Sequence, residues 1–255
     1  DGLPGNIAIG HVRWATHGVV NVPNAHPHTD CEGKLAIVHN GIIENYQELR
    51  HQLEGEHHFV SETDTEVIGH LIESYMKNGD PLEKAVTATL GQLEGSYAMA
   101  VISVDDPGKI VAVRRSSPLV IGVGDGEYFV ASDALSFLEK TNQVIFMEDD
   151  EMAVITDDGV MLYNKKGKQV KRKAVKVEWE WDQASKNGHD YFMLKEIIEG
   201  PEAIQSAATQ DKKHVMDVAM NILRAKQVII AACGSSRYAA LIGRYLFSQL
   251  ASKFC

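Results

Sequence analysis

LAIVHNGIIENYQELRHQL, residues 35–53, sets the fold class. Its first nine residues are apolar and suited to a pleated strand, and Asn40-Gly41 is a strong turn signal, so they read as a strand broken by a turn. The rest reads as a short helix. The next stretch, SETDTEVIGHLIESYMKNG, residues 61–79, changes period. Val67, Ile68, Leu71, Ile72 and Tyr75 fall on one helical face. Thr63 with Glu66 fits a capping box, and Asn78-Gly79 fits a helix stop. A further helix is expected from Asp80-Pro81, with proline at its first position.

Strand signals dominate on either side. IAIGHVRW, residues 7–14, is apolar and reads as extended. SYAMAVISV, KIVAVRR, PLVIGVG and EYFVAS are rich in β-branched and aromatic residues and are separated by Gly, Pro and Asp turns. A short helix is expected over 132–139. Residues 143–164 read as more strand, with a hairpin turn at Asp158-Gly159. Strict strand–helix alternation is rare, which points to an α+β layered sandwich rather than a doubly wound sheet.

The composition shifts near residue 164. KKGKQVKRK, residues 165–173, reads as a solvated hairpin edge. Residues 175–188 have no helical period and read as a linker. Helices are expected over 190–209, broken at Gly200-Pro201, and over 215–224. QVIIAACGSSRYAALIGRYLF, residues 227–247, reads as a buried strand, a small-residue turn and a helix, the opening of an α/β domain. The expected division is a first domain over 1–165, a linker over 166–189 and the start of a second domain over 190–255.

Composition excludes several classes. The chain has 255 residues, 44% apolar and 24% charged, an ordinary globular balance. A net charge of -10 argues against a nucleic-acid or anionic-membrane surface. Three cysteines make no disulfide framework, which fits a reducing cytoplasm. No apolar run approaches a membrane span. The start, DGLPGNIAIG, is not a signal peptide and lacks Met, and it reads as the interior of something longer.

Two stretches carry chemistry. In GHVRWATHG, residues 10–18, Arg13 can grip a carboxylate with two parallel hydrogen bonds. Thr16 and His17 add polar groups, and Trp14 can act as a rigid apolar lid. Asn40-Gly41 offers an amide and a backbone N–H, which is either an oxyanion hole or simply a turn. Asp64 is either an ammonium acceptor or a first-turn helix charge. Together they describe a pocket for an α-amino acid whose side-chain carbonyl is attacked. The second stretch is Cys233-Gly234-Ser235-Ser236, whose N–H groups and hydroxyls suit an anion at a helix start or a plain N-cap. His26-Pro27-His28 with Asp30 and Cys31 does not present two ligands on one helical face, so no metal is expected. His51, His57, His58 and His70 read as surface or helix-face residues.

GHVRWATHG, NAHPH, VHNGIIENY, FVSETDTEVIGHLI, EGSYAMAV, ASDALSF and YFMLKEIIEGPEAI occur in this order. The chain thereby resembles, over essentially its whole length, the isomerising glutamine:fructose-6-phosphate amidotransferases. CGSSRYAA resembles the first phosphate-loop segment of their sugar-isomerase domain. The resemblance implies an αββα sandwich of the N-terminal-nucleophile type, incomplete at its N-terminus, followed by the start of an α/β sugar-isomerase domain. It implies that Arg13 binds the glutamine α-carboxylate, that Thr16 and His17 line the pocket, and that Trp14 helps gate an ammonia channel. It matches Asn40 and Gly41 to the oxyanion hole, Asp64 to the α-ammonium binder, and Ser235 and Ser236 to sugar-phosphate positions. It leaves the role of His26 open.

In such enzymes an N-terminal cysteine attacks the glutamine amide, its own α-amino group helping as base. No such cysteine opens this chain, and Cys31 has no free α-amino group. The chain therefore reads as an internal fragment, expected to lack both glutaminase and isomerase activity by itself. The resemblance implies glutamine and fructose 6-phosphate as substrates, no cofactor, no nucleic acid or membrane partner, and a cytoplasmic homodimer for the intact enzyme.

Overall fold

The computed structural model describes residues 5–14, 17–178 and 188–251. The chain divides into two compact units, Asp1–Ser185 and Lys186–Cys255.

The first unit is built on a seven-stranded antiparallel sheet in the order β1-β2-β3-β4-β8-β9-β10. Its strands are β1 (His28–Thr29), β2 (Leu35–Ile43), β3 (Gly95–Ser103), β4 (Lys109–Arg115), β8 (Glu151–Thr156), β9 (Gly159–Tyr163) and β10 (Gln169–Val170). A second sheet, ordered β11-β7-β5-β6, holds β5 (Val120–Val123), β6 (Tyr128–Ala131), β7 (Gln143–Phe146) and β11 (Val175–Lys176). Three helices, α1 (Tyr46–Leu53), α2 (Thr65–Lys77) and α3 (Leu82–Leu90), complete the unit with a 3-10 turn over Ala134–Phe137.

The layering follows from alternation along the large sheet, since successive side chains point to opposite faces. Leu35, Ile37, Ile43, Tyr97, Met99, Val101, Val111, Val113 and Val154 pack with Val67, Ile68, Leu71 and Ile72 of α2. The residues between them are small: Ala98, Ala112 and Ala153 face Leu119, Ile121, Ile145 and Met147 of the second sheet and its flanks. Bulky side chains thus meet the helices, while the three central strands turn alanines to the neighbouring sheet beside Ile110, Ile155 and Leu162. On the outer face of the small sheet, Val120 and Val144 pack with Ala134 and Phe137. The order is helix, sheet, sheet, and then this single 3-10 turn where a second helical layer was expected. Gly122 permits that last contact, because a Cβ there would lie 2.7 Å from the Phe137 ring.

The local signals fare unevenly. α2 begins as expected, but the capping box is half formed: Glu66 N donates to Thr63 Oγ1, while the Glu66 carboxylate accepts from Val60 N and Ser61 N instead. α3 starts one residue later than expected, with Pro81 as its N-cap. The turn at Asn40-Gly41 does not exist. β2 is unbroken, and Asn40 and Gly41 pair with Ala98 and Tyr97 of β3. A long partner strand satisfies the backbone through both residues, which outweighs the local turn preference. Residues 7–14 form no strand, and Val12 is 98% exposed. They edge a cleft of about 480 Å³ between Val38 and Ala98 on one sheet and Leu119 and Val130 on the other. Part of the expected linker belongs to the first unit, since β10 pairs with β9 and β11 with β7. The remainder of it, residues 179–187, lies outside the described residues.

The second unit holds α4 (Phe192–Ala208), α5 (Lys212–Arg224) and α6 (Gly234–Ala251). α4 runs through Pro201 without the expected break. The residue before it is Gly200, which has no Cβ to clash with the proline ring. The Asp211 carboxylate caps α5 by accepting from His214 N. The buried strand expected over 227–233 is not present: these residues pair with no strand, and Ile229 is exposed. A strand needs a neighbour for its hydrogen bonds, and the described residues of this unit offer none.

Candidate functional site

The N-terminal end of α2, the second half of β2 and the loop around Arg13 enclose a pocket of about 310 Å³. Arg13, Trp14, His17, Asn40, Gly41 and Asp64 all line it. Residues separated by more than 50 positions in sequence therefore meet at one place. Thr16, the remaining candidate from this group, lies outside the described residues.

Asp64 is held firmly. It sits at the start of α2, where the helix dipole favours negative charge. Its Oδ2 accepts from Ile43 N at 2.8 Å, tying the helix start to the end of β2. Its Oδ1 lies 4.0 Å from His17 Nδ1. Only 5% of its side chain is exposed, so it is a desolvated anion facing an open space. Such a carboxylate attracts an ammonium group.

Arg13 is turned inward on its own loop. Its guanidinium donates to the carbonyls of His17 (2.5 Å), Gly18 (3.1 Å) and Val19 (3.0 Å). Glu62 and Asn24 brace the same loop: Val19 N and Asn24 Nδ2 both donate to Glu62 Oε2. Trp14 is largely exposed at the rim. His17 packs edge-on to Tyr46 of α1.

Asn40 and Gly41 reach the pocket from β2. Asn40 Oδ1 lies 2.7 Å from His11 Nε2. Gly41 has φ +128°, and a Cβ there would meet the Ser96 carbonyl oxygen at 2.0 Å. No other residue fits this close approach of two strands.

A wall of histidines gathers His26 and His28, singled out in the sequence, with His11 and His39, which were not. His11 stacks on His26 and His26 meets His28 edge-on. His39 Nδ1 lies 2.9 Å from Thr65 Oγ1, and His28 Nε2 lies 3.1 Å from Thr63 Oγ1. Burial, reinforced by the neighbouring His11, pushes His26 down to about 3. Burial takes His39 to about 4 against the pull of Asp64. Burial also lowers His28. His26, His28 and His39 are therefore neutral at pH 7 and offer polar nitrogens without charge. His39 could have been placed from the sequence, since it shares a strand face with Leu35, Ile37 and Ile43.

Of the histidines read as surface or helix-face residues, His70 does lie on a face of α2, the buried one, whereas His57 is buried in a loop rather than at the surface. His57 and His70 are buried, and they converge with Cys31 and Glu73. Ser235 and Ser236 lie in the first turn of α6, exposed, in the second unit.

The antiparallel double sheet with its helical cover, and a pocket pairing a buried acid with an arginine loop, belong to a known class. Residues 11–139 match the glutamine amidotransferase domain family, and the chain belongs to that family. The first unit also resembles a solved glutamine phosphoribosylpyrophosphate amidotransferase from B. subtilis, with TM-score 0.51 and 28% identity over 61% of this chain and 34% of that one. At the level of the particular protein, the chain is 49% identical, over 97% of its length, to the isomerizing glutamine–fructose-6-phosphate aminotransferase of Methanothermobacter thermautotrophicus. It is 46% identical over 98% of its length to the enzyme of the same name from Thermococcus kodakarensis. It spans 42% of the length of each.

Proposed function

We propose that the first unit holds glutamine and that the protein carrying this chain transfers its amide nitrogen to fructose 6-phosphate, forming glucosamine 6-phosphate. The observation that carries this reading is the single pocket lined by Arg13, Asn40, Gly41 and Asp64. Its ends are matched to an α-amino acid. Asp64 takes the ammonium group and Arg13 the α-carboxylate, while Asn40 and Gly41 offer donors to the oxyanion that forms at the side-chain carbonyl. His17 and Thr16 line the pocket, and Trp14 stands at its mouth. Ser235 and Ser236 serve the sugar phosphate in the second unit. The 49% relative matches 97% of this chain, whereas the phosphoribosylpyrophosphate enzyme matches 61% at 28%, so the fructose-6-phosphate reading is preferred.

The attacking group in this reading is an N-terminal cysteine thiolate. It adds to the amide carbon, ammonia leaves as the tetrahedral intermediate collapses, and water then cleaves the thioester to glutamate. None of Cys31, Cys233 and Cys255 suits the part, because the α-amino group of each is tied up in a peptide bond. The 255 residues alone are therefore read as a glutamine-holding surface without hydrolytic activity. Among the described residues no helix is long and apolar enough to cross a membrane. The proposal places the protein in the cytoplasm as a homodimer, without a cofactor.

The deciding experiment determines the N-terminus of the native protein by intact mass and assays it for ammonia release from glutamine. A cysteine at the mature N-terminus and a roughly 100-fold fall in kcat/KM for Arg13→Ala or Asp64→Asn are expected. A native protein without such a cysteine, or variants that keep full glutaminase activity, would overturn the reading.

A further inference from the structure

Away from the glutamine pocket, three segments of the first unit meet at one point. Cys31 comes from the turn between β1 and β2, His57 from the segment after α1, and His70 and Glu73 from one face of α2. Cys31 Sγ lies 3.6 Å from His57 Nδ1 and 3.6 Å from His70 Nδ1. Glu73 Oε2 lies 2.9 Å from His57 Nδ1 and 3.0 Å from His70 Nδ1. One ligand atom from each residue falls within 4.8 Å of all the others. His57, His70 and Glu73 are buried, and the thiol closes the outer side.

These separations suit a small cation. A tetrahedral zinc ion, with bonds of about 2.3 Å to sulfur and about 2.0 Å to nitrogen and oxygen, sets sulfur–nitrogen edges near ~3.5 Å and nitrogen–oxygen edges near ~3.3 Å. The two sulfur–nitrogen edges agree, the two oxygen–nitrogen edges are a few tenths shorter, and the other two edges lie within 4.8 Å.

The hydrogen bonds around the cluster fix which nitrogen of His57 carries the proton. Ser74 Oγ donates its proton to the His70 carbonyl. It can therefore only accept from His57 Nε2, 2.8 Å away. A neutral His57 then carries its proton on Nε2 and turns a bare Nδ1 lone pair toward the Glu73 carboxylate and the Cys31 sulfur. His70 Nδ1 lies against Glu73 Oε2, and Glu66 Oε1 lies 3.7 Å from its Nε2, beyond hydrogen-bond reach. The His57 and His70 Nδ1 atoms, a carboxylate oxygen and a thiol sulfur converge on one point, and a cation between them can take all four as ligands. The outer groups also resemble those that orient metal ligands. Lys77 Nζ lies 2.7 Å from Glu73 Oε1 and leaves Oε2 for the centre, and His58 N donates to Cys31 Sγ.

We propose that Cys31, His57, His70 and Glu73 form a structural zinc site. Binding releases the thiol proton to solvent, so one thiolate and one carboxylate cancel the charge of Zn²⁺. Four protein ligands leave no open position, so the ion clamps the β1–β2 turn and the segment after α1 onto α2 and takes no part in catalysis. The spacing of 25, 12 and 2 intervening residues matches no compact zinc motif, which is why the sequence led to an expectation of no metal.

The test uses the native full-length protein, purified without chelator and analysed for metal by mass spectrometry, then stripped and reloaded with Co²⁺. About one zinc per chain is expected, with tetrahedral d–d bands and a near-ultraviolet thiolate-to-cobalt band in the reloaded protein. Cys31→Ser should abolish that band and weaken zinc binding roughly 10- to 100-fold. His58→Gln, whose side chain is exposed next to the site, should leave both unchanged. Protein that stays metal-free after zinc is supplied and shows no cobalt bands would overturn the proposal, as would a thiolate band that persists in Cys31→Ser. Should Cys31→Ser fail to fold, the metal content and cobalt spectrum of the unmodified protein decide the question alone.

Discussion

Ile68 of α2 and Leu250 of α6 are both aliphatic residues on regular helices, yet Ile68 is wholly buried and Leu250 is 82% exposed. The contrast runs through both units. α2 buries nine of its residues, from Thr65 to Glu73, whereas α5 and α6 bury none. Helices form from bonds between near neighbours, so all three exist on local grounds. Burial needs another layer, and only the first unit supplies one from its own described residues. Helical pattern and packed core are separate achievements of a sequence.

Paired substitutions sharpen that contrast. The largest difference is expected between two glycines. Gly41→Ala puts a Cβ into the Ser96 carbonyl and should cost about 4 kcal/mol in the first unit's urea transition. Gly234→Ala also sits at positive φ but meets nothing within 4 Å, and should cost about 1 kcal/mol. If the two cost the same, strand packing at Gly41 is looser than described. Next, Ile68→Ala should lower stability by about 3 kcal/mol and Leu250→Ala by less than about 0.5 kcal/mol. A large loss at Leu250 would show that its face is covered in the intact protein.

A third pair lies within the basic run. Arg172 grips the buried Glu151 with both Nη atoms, at 2.7 and 2.9 Å. Arg172→Ala strands that carboxylate and should cost about 2 kcal/mol, less than for a fully buried pair because the arginine is partly exposed. Lys171→Ala, one position away and exposed, should be neutral to within about 0.5 kcal/mol. Equal effects would overturn the division of this run into one anchoring residue and a solvated remainder.

A further effect is on pH dependence. His39 is held neutral by burial, with its folded pKa near 4 against an ordinary value of 6.5. Between these values the unfolded chain binds the extra proton, so stability falls as pH drops through this window, at up to about 1.4 kcal/mol per pH unit for this group. His39→Gln should flatten the slope of the first unit's stability between pH 6.5 and 4. An unchanged slope would place the dependence on other groups.

Much of the first unit was legible from its residues. The period of α2, the stop at Asn78-Gly79 and the strand character of residues 96–104 and 109–115 all come from local patterns that the packing reinforces. Arg13, His17 and Asp64 were recognisable as a chemical set, and the structure gathers them into one pocket with Asn40 and Gly41. What escaped depends on distant partners. The Asn40-Gly41 turn signal yields to β3, and the apolar run at 227–233 remains without a strand to pair with. Cys31, His57 and His70 meet only because a turn, a loop and a helix fold onto one another, and no spacing along the chain encodes that.

The Arg13 fork has one further consequence. Its three bonds to the carbonyls of His17, Gly18 and Val19 hold that bend of chain together with Glu62 and Asn24. Three of the five guanidinium donors serve the loop, so the two-pronged grip on a carboxylate that the proposed function requires would displace at least one of these oxygens, and ligand and loop would compete for that donor. Affinity then measures a difference between two partners rather than the strength of one, and a weaker ligand loses to the protein's own backbone.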